Sequence, residues 1–202
     1  MDPSLWDCVA RDWSPRIGDP HFMGWLTVLA YAVTAGVAGR TALAARRGHV
    51  TPSPGLQALF WLGVSLLYAL LAVNKQLDLQ TAMTTIGRCL AYRDGWYEAR
   101  RGVQIAFIVG FACTSAIGVA VLAWCFRSIF ASNRLAFLGI MITVTFVLVR
   151  AAGFHGMDQF IGTSILGLRM NWVVELSGIM LVLAATILAL RHAQPQTAGQ
   201  NT

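Results

Sequence analysis

Long apolar runs dominate the pattern of hydrophobic and polar positions along this chain. A helix rises 1.5 Å per residue, so about 20 apolar residues cross roughly 30 Å of hydrocarbon. Five runs meet that length: residues 22–39, 56–73, 103–126, 135–152 and 172–190. Backbone groups in lipid must be satisfied within the segment, so each run is predicted to be helical. The predicted fold class is all-α, a polytopic membrane protein with a bundle of five transmembrane helices.

A second helical pattern lies between the second and third runs. Its apolar positions recur at helical spacing: Leu79, Ala82, Met83, Ile86 and Leu90. Its polar positions, on the other side, are Thr81, Thr84, Thr85 and Arg88. This amphipathic pattern predicts a short helix in the membrane interface.

The remaining segments are short. Residues 1–20 form a polar tail whose four aspartates are unlike the basic and apolar regions of a cleavable signal peptide. Residues 21–192 form the predicted transmembrane domain, and residues 193–202 are a polar tail that we expect to be disordered. The sequence contains no internal repeat, phosphate-binding loop, dinucleotide fingerprint or nucleic-acid-binding motif.

Composition agrees with a membrane protein, since 56% of the residues are hydrophobic and 12% are charged. Five crossings place the N-terminal tail and residues 74–102 and 153–171 on one side, here called face A; the opposite side is face B. The charged residues of face B are all basic: Arg40, Arg46, Arg47, Arg127, Arg134 and Arg191. All nine acidic residues and the other basic ones belong to face A. The net charge of +6 is therefore attributed to membrane orientation and not to nucleic acid.

Two readings of these charges give opposite orientations. The number of Lys and Arg residues alone favours a cytoplasmic face A. The unopposed arginines in the short loops of face B favour the reverse, because the bases of face A are matched by acids. We predict a cell-membrane protein with its N-terminus outside and its C-terminus in the cytoplasm.

Cysteines and small residues suggest further contacts. Cys8 and Cys89 both belong to face A and could form a disulfide if that side is oxidising, although two free thiols are slightly favoured. Gly110, Thr114 and Gly118 form a small-residue stripe on the third run, which indicates a packing surface and leaves self-association or a membrane-protein partner open.

Most of the unusual polar chemistry is predicted to meet at face A, where four helix ends share one membrane depth. The residues concerned are His21, Asn74, Lys75, Asp78, Arg88, Arg150, His155, Asp158, Asn171 and Glu175. Glu175 lies about one turn inside the membrane, and ionisable groups at that depth usually face the bundle interior and serve a function. Its expected partner is Lys75 or Arg150. The alternative is a structural carboxylate near the positive end of its helix.

The remaining residues suggest specific roles. Lys75 is the only lysine, which indicates either a tunable ammonium or a lysine that extends to the interface. We consider Glu175, His155, Asp158 and Lys75 as catalytic candidates, and Arg150, Asn74, Asp78, Asn171 and Arg88 as substrate-binding ones. His155 and Asp158, with His21, could instead bind a metal or belong to an ordinary polar loop. The sequence identifies no cofactor.

Three functions fit these features. The first is a membrane-embedded enzyme that acts on a lipid or other amphipathic substrate. The second is a non-catalytic accessory or assembly subunit of a membrane complex, in which the same residues form salt bridges. Transport is the least favoured, because the first four helices carry almost no charge in their middle thirds.

Overall fold

The computed structural model describes residues 4–14, 21–48, 50, 53–77, 79–152, 164–165 and 168–193. Its architecture confirms the all-α class. The described helices are α1 (Leu5–Asp12), α2 (Phe22–Arg46), α3 (Pro54–Leu77), α4 (Leu79–Arg93), α5 (Arg100–Cys125), α6 (Phe130–Ala152) and α7 (Met170–Ala193). Short 3-10 turns, Tyr97–Ala99 and Arg127–Ile129, precede α5 and α6. A two-residue antiparallel pair, β1 (Ser164–Ile165) with β2 (Leu168–Arg169), precedes α7.

Four of the described segments are long and apolar enough to cross a membrane: Phe22–Arg46, Pro54–Leu77, Arg127–Leu148 and Met170–His192. They coincide with four of the five predicted runs and extend most of them by several residues. Large apolar side chains such as Leu29, Leu66 and Met180 are exposed on their outer surfaces, as expected of helices that face lipid. These helices are those of a multi-pass membrane protein. The fifth predicted run forms α5, a helix of 26 residues that is not among these four segments.

Contacts between residues far apart in the chain fix the direction of each helix in the bundle. Ser65 donates to the carbonyl oxygen of Ala35 at 2.8 Å, and α3 follows α2 as an antiparallel hairpin. Thr41 donates to the carbonyl oxygen of Thr186 at 3.5 Å, while Tyr31 contacts Glu175, so α2 and α7 run in the same direction.

The direction of α6 follows from two pairs of side chains. Asn133 donates to Gln57 at 3.0 Å, and the Tyr68 and Thr143 hydroxyls lie 3.1 Å apart. Residue numbers increase from the first pair to the second in both α3 and α6, so these two helices are parallel. The N-terminal ends of α2 and α7 and the C-terminal ends of α3 and α6 therefore meet at one end of the bundle, which corresponds to face A.

The bundle interior is filled by aromatic and small side chains. Tyr31, Trp61 and Tyr68 are the largest fully buried ones. Helices α6 and α7 approach closely at Gly139 and Gly178. A Cβ atom added at Gly178 would lie only 3.0 Å from the backbone nitrogen of Thr143. A Cβ atom at Gly139 would lie 2.9 Å from the carbonyl oxygen of Gly178. The two glycines therefore set the distance between these helices.

Helices α1 and α4 form a separate pair. Helix α1 begins with a capping box, in which Ser4 and Asp7 each bind the backbone of the other. The structure joins Cys8 of α1 to Cys89 of α4 by a disulfide. The preference for two free thiols is therefore wrong: helix formation in the N-terminal tail brings Cys8 next to α4.

Helix α4 covers the amphipathic pattern predicted between the second and third runs. Ala82, Thr85 and Cys89 are buried, and Arg88 is exposed. The sequence pattern places Thr85 on the polar side of α4. In the structure Thr85 is buried, because α1 packs against this helix.

Candidate functional site

A buried ion pair lies near the face A end of the bundle. The ammonium of Lys75, two residues before the end of α3, donates to Glu175 Oε2 at 2.8 Å. The side chain of Glu175 is 3% exposed and that of Lys75 is 11% exposed. This contact confirms Lys75 as a partner of Glu175. Burial of two charges is costly unless they are paired and hydrogen-bonded, so the pair holds α3 and α7 in one arrangement.

Two tyrosines extend this cluster into the bundle. The Tyr31 hydroxyl donates to Glu175 Oε1 at 3.2 Å, so both carboxylate oxygens have a donor. The Tyr31 and Tyr68 rings lie 5.7 Å apart between centroids, and the Tyr68 hydroxyl bonds to Thr143. All four core helices therefore contribute a polar group: Tyr31 from α2, Lys75 and Tyr68 from α3, Thr143 from α6 and Glu175 from α7.

Among the described residues, four buried side-chain atoms have no hydrogen-bond partner: Nε1 of Trp61, Nε2 and Oε1 of Gln76, and Oδ1 of Asn171. Three of them belong to residues that are close to the ion pair in the chain, because Gln76 follows Lys75 and Asn171 lies one helical turn before Glu175. A buried polar atom without a partner costs free energy, typically about 1–3 kcal/mol, so such atoms require an explanation. The amide atoms of Gln76 and Asn171, on the helix ends that carry the ion pair, are consistent with a ligand-binding site at this end of the bundle.

A second polar cluster lies near face B. Gln57 and Asn133 are both buried and bond to each other and to Ser132. The backbone of Asn133 departs from helical geometry, with φ −120° and ψ 15°, while its side chain also donates to the carbonyl oxygen of Ile129. The amide groups of this cluster are therefore paired, unlike that of Gln76.

Two exposed arginines of face A pair with carboxylates. Arg88 contacts Asp12 at 3.5 Å, which adds a second link between α4 and α1. Arg93 donates to Asp94 at 2.7 Å, and this hydrogen bond lowers the pKa of the Asp94 carboxyl. Arg11 donates to the backbone oxygen of Asp7.

The structure describes only part of the predicted site. It brings Lys75 and Glu175 into contact and places Asn74 and Asn171 on the same helix ends. His21 is the exposed N-cap residue of α2, and Arg88 is bound to Asp12. Asp78, His155 and Asp158 lie outside the described residues, as does the side chain of Arg150. Among the described residues, no group of three His, Cys, Asp or Glu side chains could hold a metal ion.

Sequence analysis missed Tyr31, Tyr68, Thr143 and Gln76. The two tyrosines carried a usable signal, because a hydroxyl inside an apolar membrane helix requires a buried partner. The sequence signal for Gln76 was weaker, since a polar residue at a helix end is ordinarily solvated. No protein-family model, curated protein or solved structure matches this chain.

Proposed function

We propose that this protein is a membrane-embedded enzyme that acts on the polar head of a lipid or other amphipathic substrate at face A. The observation that carries the proposal is the buried Lys75–Glu175–Tyr31 cluster together with the unpartnered atoms of Gln76 and Asn171. Ionisable groups inside membrane helices are costly and usually mark function. A ligand that bonded to the free amide atoms would be held next to the carboxylate.

The cluster suggests a role for each group. Glu175 would act as the acid or base, because two donors fix the orientation of its carboxylate. Lys75 is the more exposed member of the ion pair and would lie at the entrance, where it could contact the substrate. Gln76 and Asn171 would position the head group. His155, Asp158, Arg150, Asn74 and Asp78 remain candidates on sequence grounds, as does a metal bound by His155, Asp158 and His21.

Helix directions support five membrane crossings. Helices α3 and α6 are parallel, so the chain between them must return from face A to face B. Helix α5 lies in that connection, and its 26 residues span about 39 Å at 1.5 Å per residue, enough to cross a bilayer. Crossing by α5 would complete the five-helix topology, with α4 beside the bundle in the face A interface.

The disulfide supports the orientation. Structural disulfides form in oxidising compartments and are rare in the cytosol. The Cys8–Cys89 bond lies on the face A side of the chain, which agrees with an N-terminus outside the cell membrane. With five crossings, the C-terminus would be cytoplasmic.

Topology reporters test this arrangement. We expect alkaline phosphatase to be active when it is inserted between Asp94 and Gly95, and green fluorescent protein to fluoresce when it is fused to the C-terminus. Phosphatase activity at both positions would show that the chain crosses an even number of times and that α5 does not span. Fluorescence at the 94–95 insertion would reverse the orientation.

Lipid conversion tests the enzymatic proposal. Purified protein in nanodiscs would be incubated with a polar lipid extract of its own membrane, and lipid classes would be followed by mass spectrometry. We expect Glu175→Gln to lower the rate at least about a hundredfold, the usual scale for loss of an acid–base group. Asp94→Asn, which removes an exposed carboxylate outside the site, should leave the rate unchanged. The absence of any conversion by the wild type would contradict an enzyme.

A non-catalytic accessory subunit is the second candidate. It is favoured by the surface of α5, where apolar residues such as Ile105, Ile117 and Trp124 are exposed. A Cβ atom at Gly110 or Gly118 would meet nothing within 4 Å, so another helix could approach α5 closely at Gly118. Recovery of a stoichiometric protein partner, without lipid conversion, would support this function.

A further inference from the structure

We infer that the face A site selects a neutral lipid head that carries hydroxyl or amide N–H groups, in preference to a phosphate monoester. This inference rests on the proposed function, since it names the class of substrate for the same site. It is carried by the unpartnered atoms of Gln76 and Asn171 and by the pairing of Lys75 with Glu175.

The free atoms define what a ligand must offer. Gln76 Oε1 and Asn171 Oδ1 are acceptors, so they require donors from the ligand, whereas Gln76 Nε2 is a donor and requires an acceptor. A hydroxyl group satisfies both requirements, and an amide also does so through its N–H and C=O. A phosphate dianion offers acceptors only and would leave the two oxygens without a donor.

The ion pair points to the same class, because an anionic head group binds best to a cation that is free to pair with it. Lys75, the residue next to Gln76 in the chain, already pairs with Glu175. Lys75 could bind a phosphate only by leaving Glu175 as a buried, uncompensated carboxylate.

Stability provides a signature that separates this role from a structural one. A side chain that holds the fold together lowers the midpoint of unfolding when it is removed. The amide of Gln76 has no partner in the part of the chain that the structure describes, so Gln76→Leu should leave the midpoint unchanged or raise it while it weakens ligand binding. Gln57 is the matched control, because its amide is on the same helix and is fully paired. Gln57→Leu should lower the midpoint and leave ligand binding unchanged.

Two lipids with the same 18-carbon chain test the selectivity. The full-length protein would be placed in phosphatidylcholine nanodiscs that contain equal fractions of 1-monooleoylglycerol or oleyl phosphate, which has no hydroxyl group on carbon, and bound lipids would be counted by native mass spectrometry. We expect the monooleoylglycerol adduct to be about tenfold more abundant, a difference of about 1.4 kcal/mol. Gln76→Leu and Asn171→Leu should each remove this preference.

The outcomes separate this inference from the proposed function. Stronger retention of oleyl phosphate, or adducts that Gln76→Leu and Asn171→Leu leave unchanged, would overturn the neutral-head inference. If the wild type converted a phosphate-bearing lipid in a reaction that requires Glu175, the result would support the proposed enzymatic function and contradict the neutral-head inference. Selective binding of monooleoylglycerol without any lipid conversion would support the inference and refute the enzyme.

Discussion

Replacement of Glu175 by leucine is expected to destabilise the protein by about 3–5 kcal/mol, the largest effect of any single change in the bundle. The variant leaves the Lys75 ammonium buried without its carboxylate and removes the acceptor of the Tyr31 hydroxyl. An isolated buried charge cannot recover its lost hydration. The measurement is the free energy of unfolding in mild detergent, followed by tryptophan fluorescence.

Two further variants separate charge from packing in this result. Lys75→Met combined with Glu175→Leu removes both charges and keeps apolar volume, so it should recover most of the stability that Glu175→Leu loses. The Tyr31 hydroxyl, left without its acceptor, should keep the double variant about 1–3 kcal/mol below the wild type. Tyr31→Phe removes one hydrogen bond to the carboxylate and should cost about 1.5–3 kcal/mol. A Glu175→Leu variant as stable as the wild type would show that the ion pair is not buried in the folded protein.

Replacement of Gly178 by valine is expected to have the second-largest effect, a loss of about 1–3 kcal/mol or more from overpacking. A Cβ atom there would lie 2.5 Å from the Thr143 hydroxyl and 3.0 Å from the Thr143 backbone nitrogen. Backbone cannot yield as a flexible side chain can, so α6 and α7 must separate. This separation would displace Thr143 and break the Tyr68–Thr143 hydrogen bond.

Gly36 provides the matched control for this change. It lies in another membrane-length helix, and a Cβ atom there would meet nothing within 4 Å. Gly36→Ala should be neutral or stabilising by up to about 1 kcal/mol, because alanine favours helix more than glycine does. Gly178→Ala should still destabilise. Equal thermal midpoints for the two alanine variants would contradict close packing at Gly178.

The parts of the fold that depend on local composition were predictable from the sequence. Hydrophobic length identified the runs that form α2, α3, α6 and α7, and helical spacing identified α4. Depth in the membrane identified Glu175 as a buried group and Lys75 as one of two partners. A charged side chain inside an apolar helix needs a partner of opposite charge, and few such residues lie at the same depth. The sequence therefore leaves few possible partners for Glu175.

Features that depend on which helices become neighbours were not predictable. Small-residue spacing drew attention to Gly110 and Gly118, whereas the close approach occurs at Gly139 and Gly178. An isolated glycine shows its role only when the opposing helix is known. The disulfide depended in the same way on α1, because a helix in the N-terminal tail places Cys8 beside α4.

The central claim is that the Lys75–Glu175 pair serves chemistry at face A and not only stability. The most direct test is lipid conversion by the Lys75→Met, Glu175→Leu double variant, in which folding is retained while both charges are absent. We predict a protein that still folds, about 1–3 kcal/mol less stable than the wild type, and that converts lipid at least about a hundredfold more slowly. A double variant that folds equally well and converts lipid at the wild-type rate would contradict the claim and leave the pair as a structural link between α3 and α7.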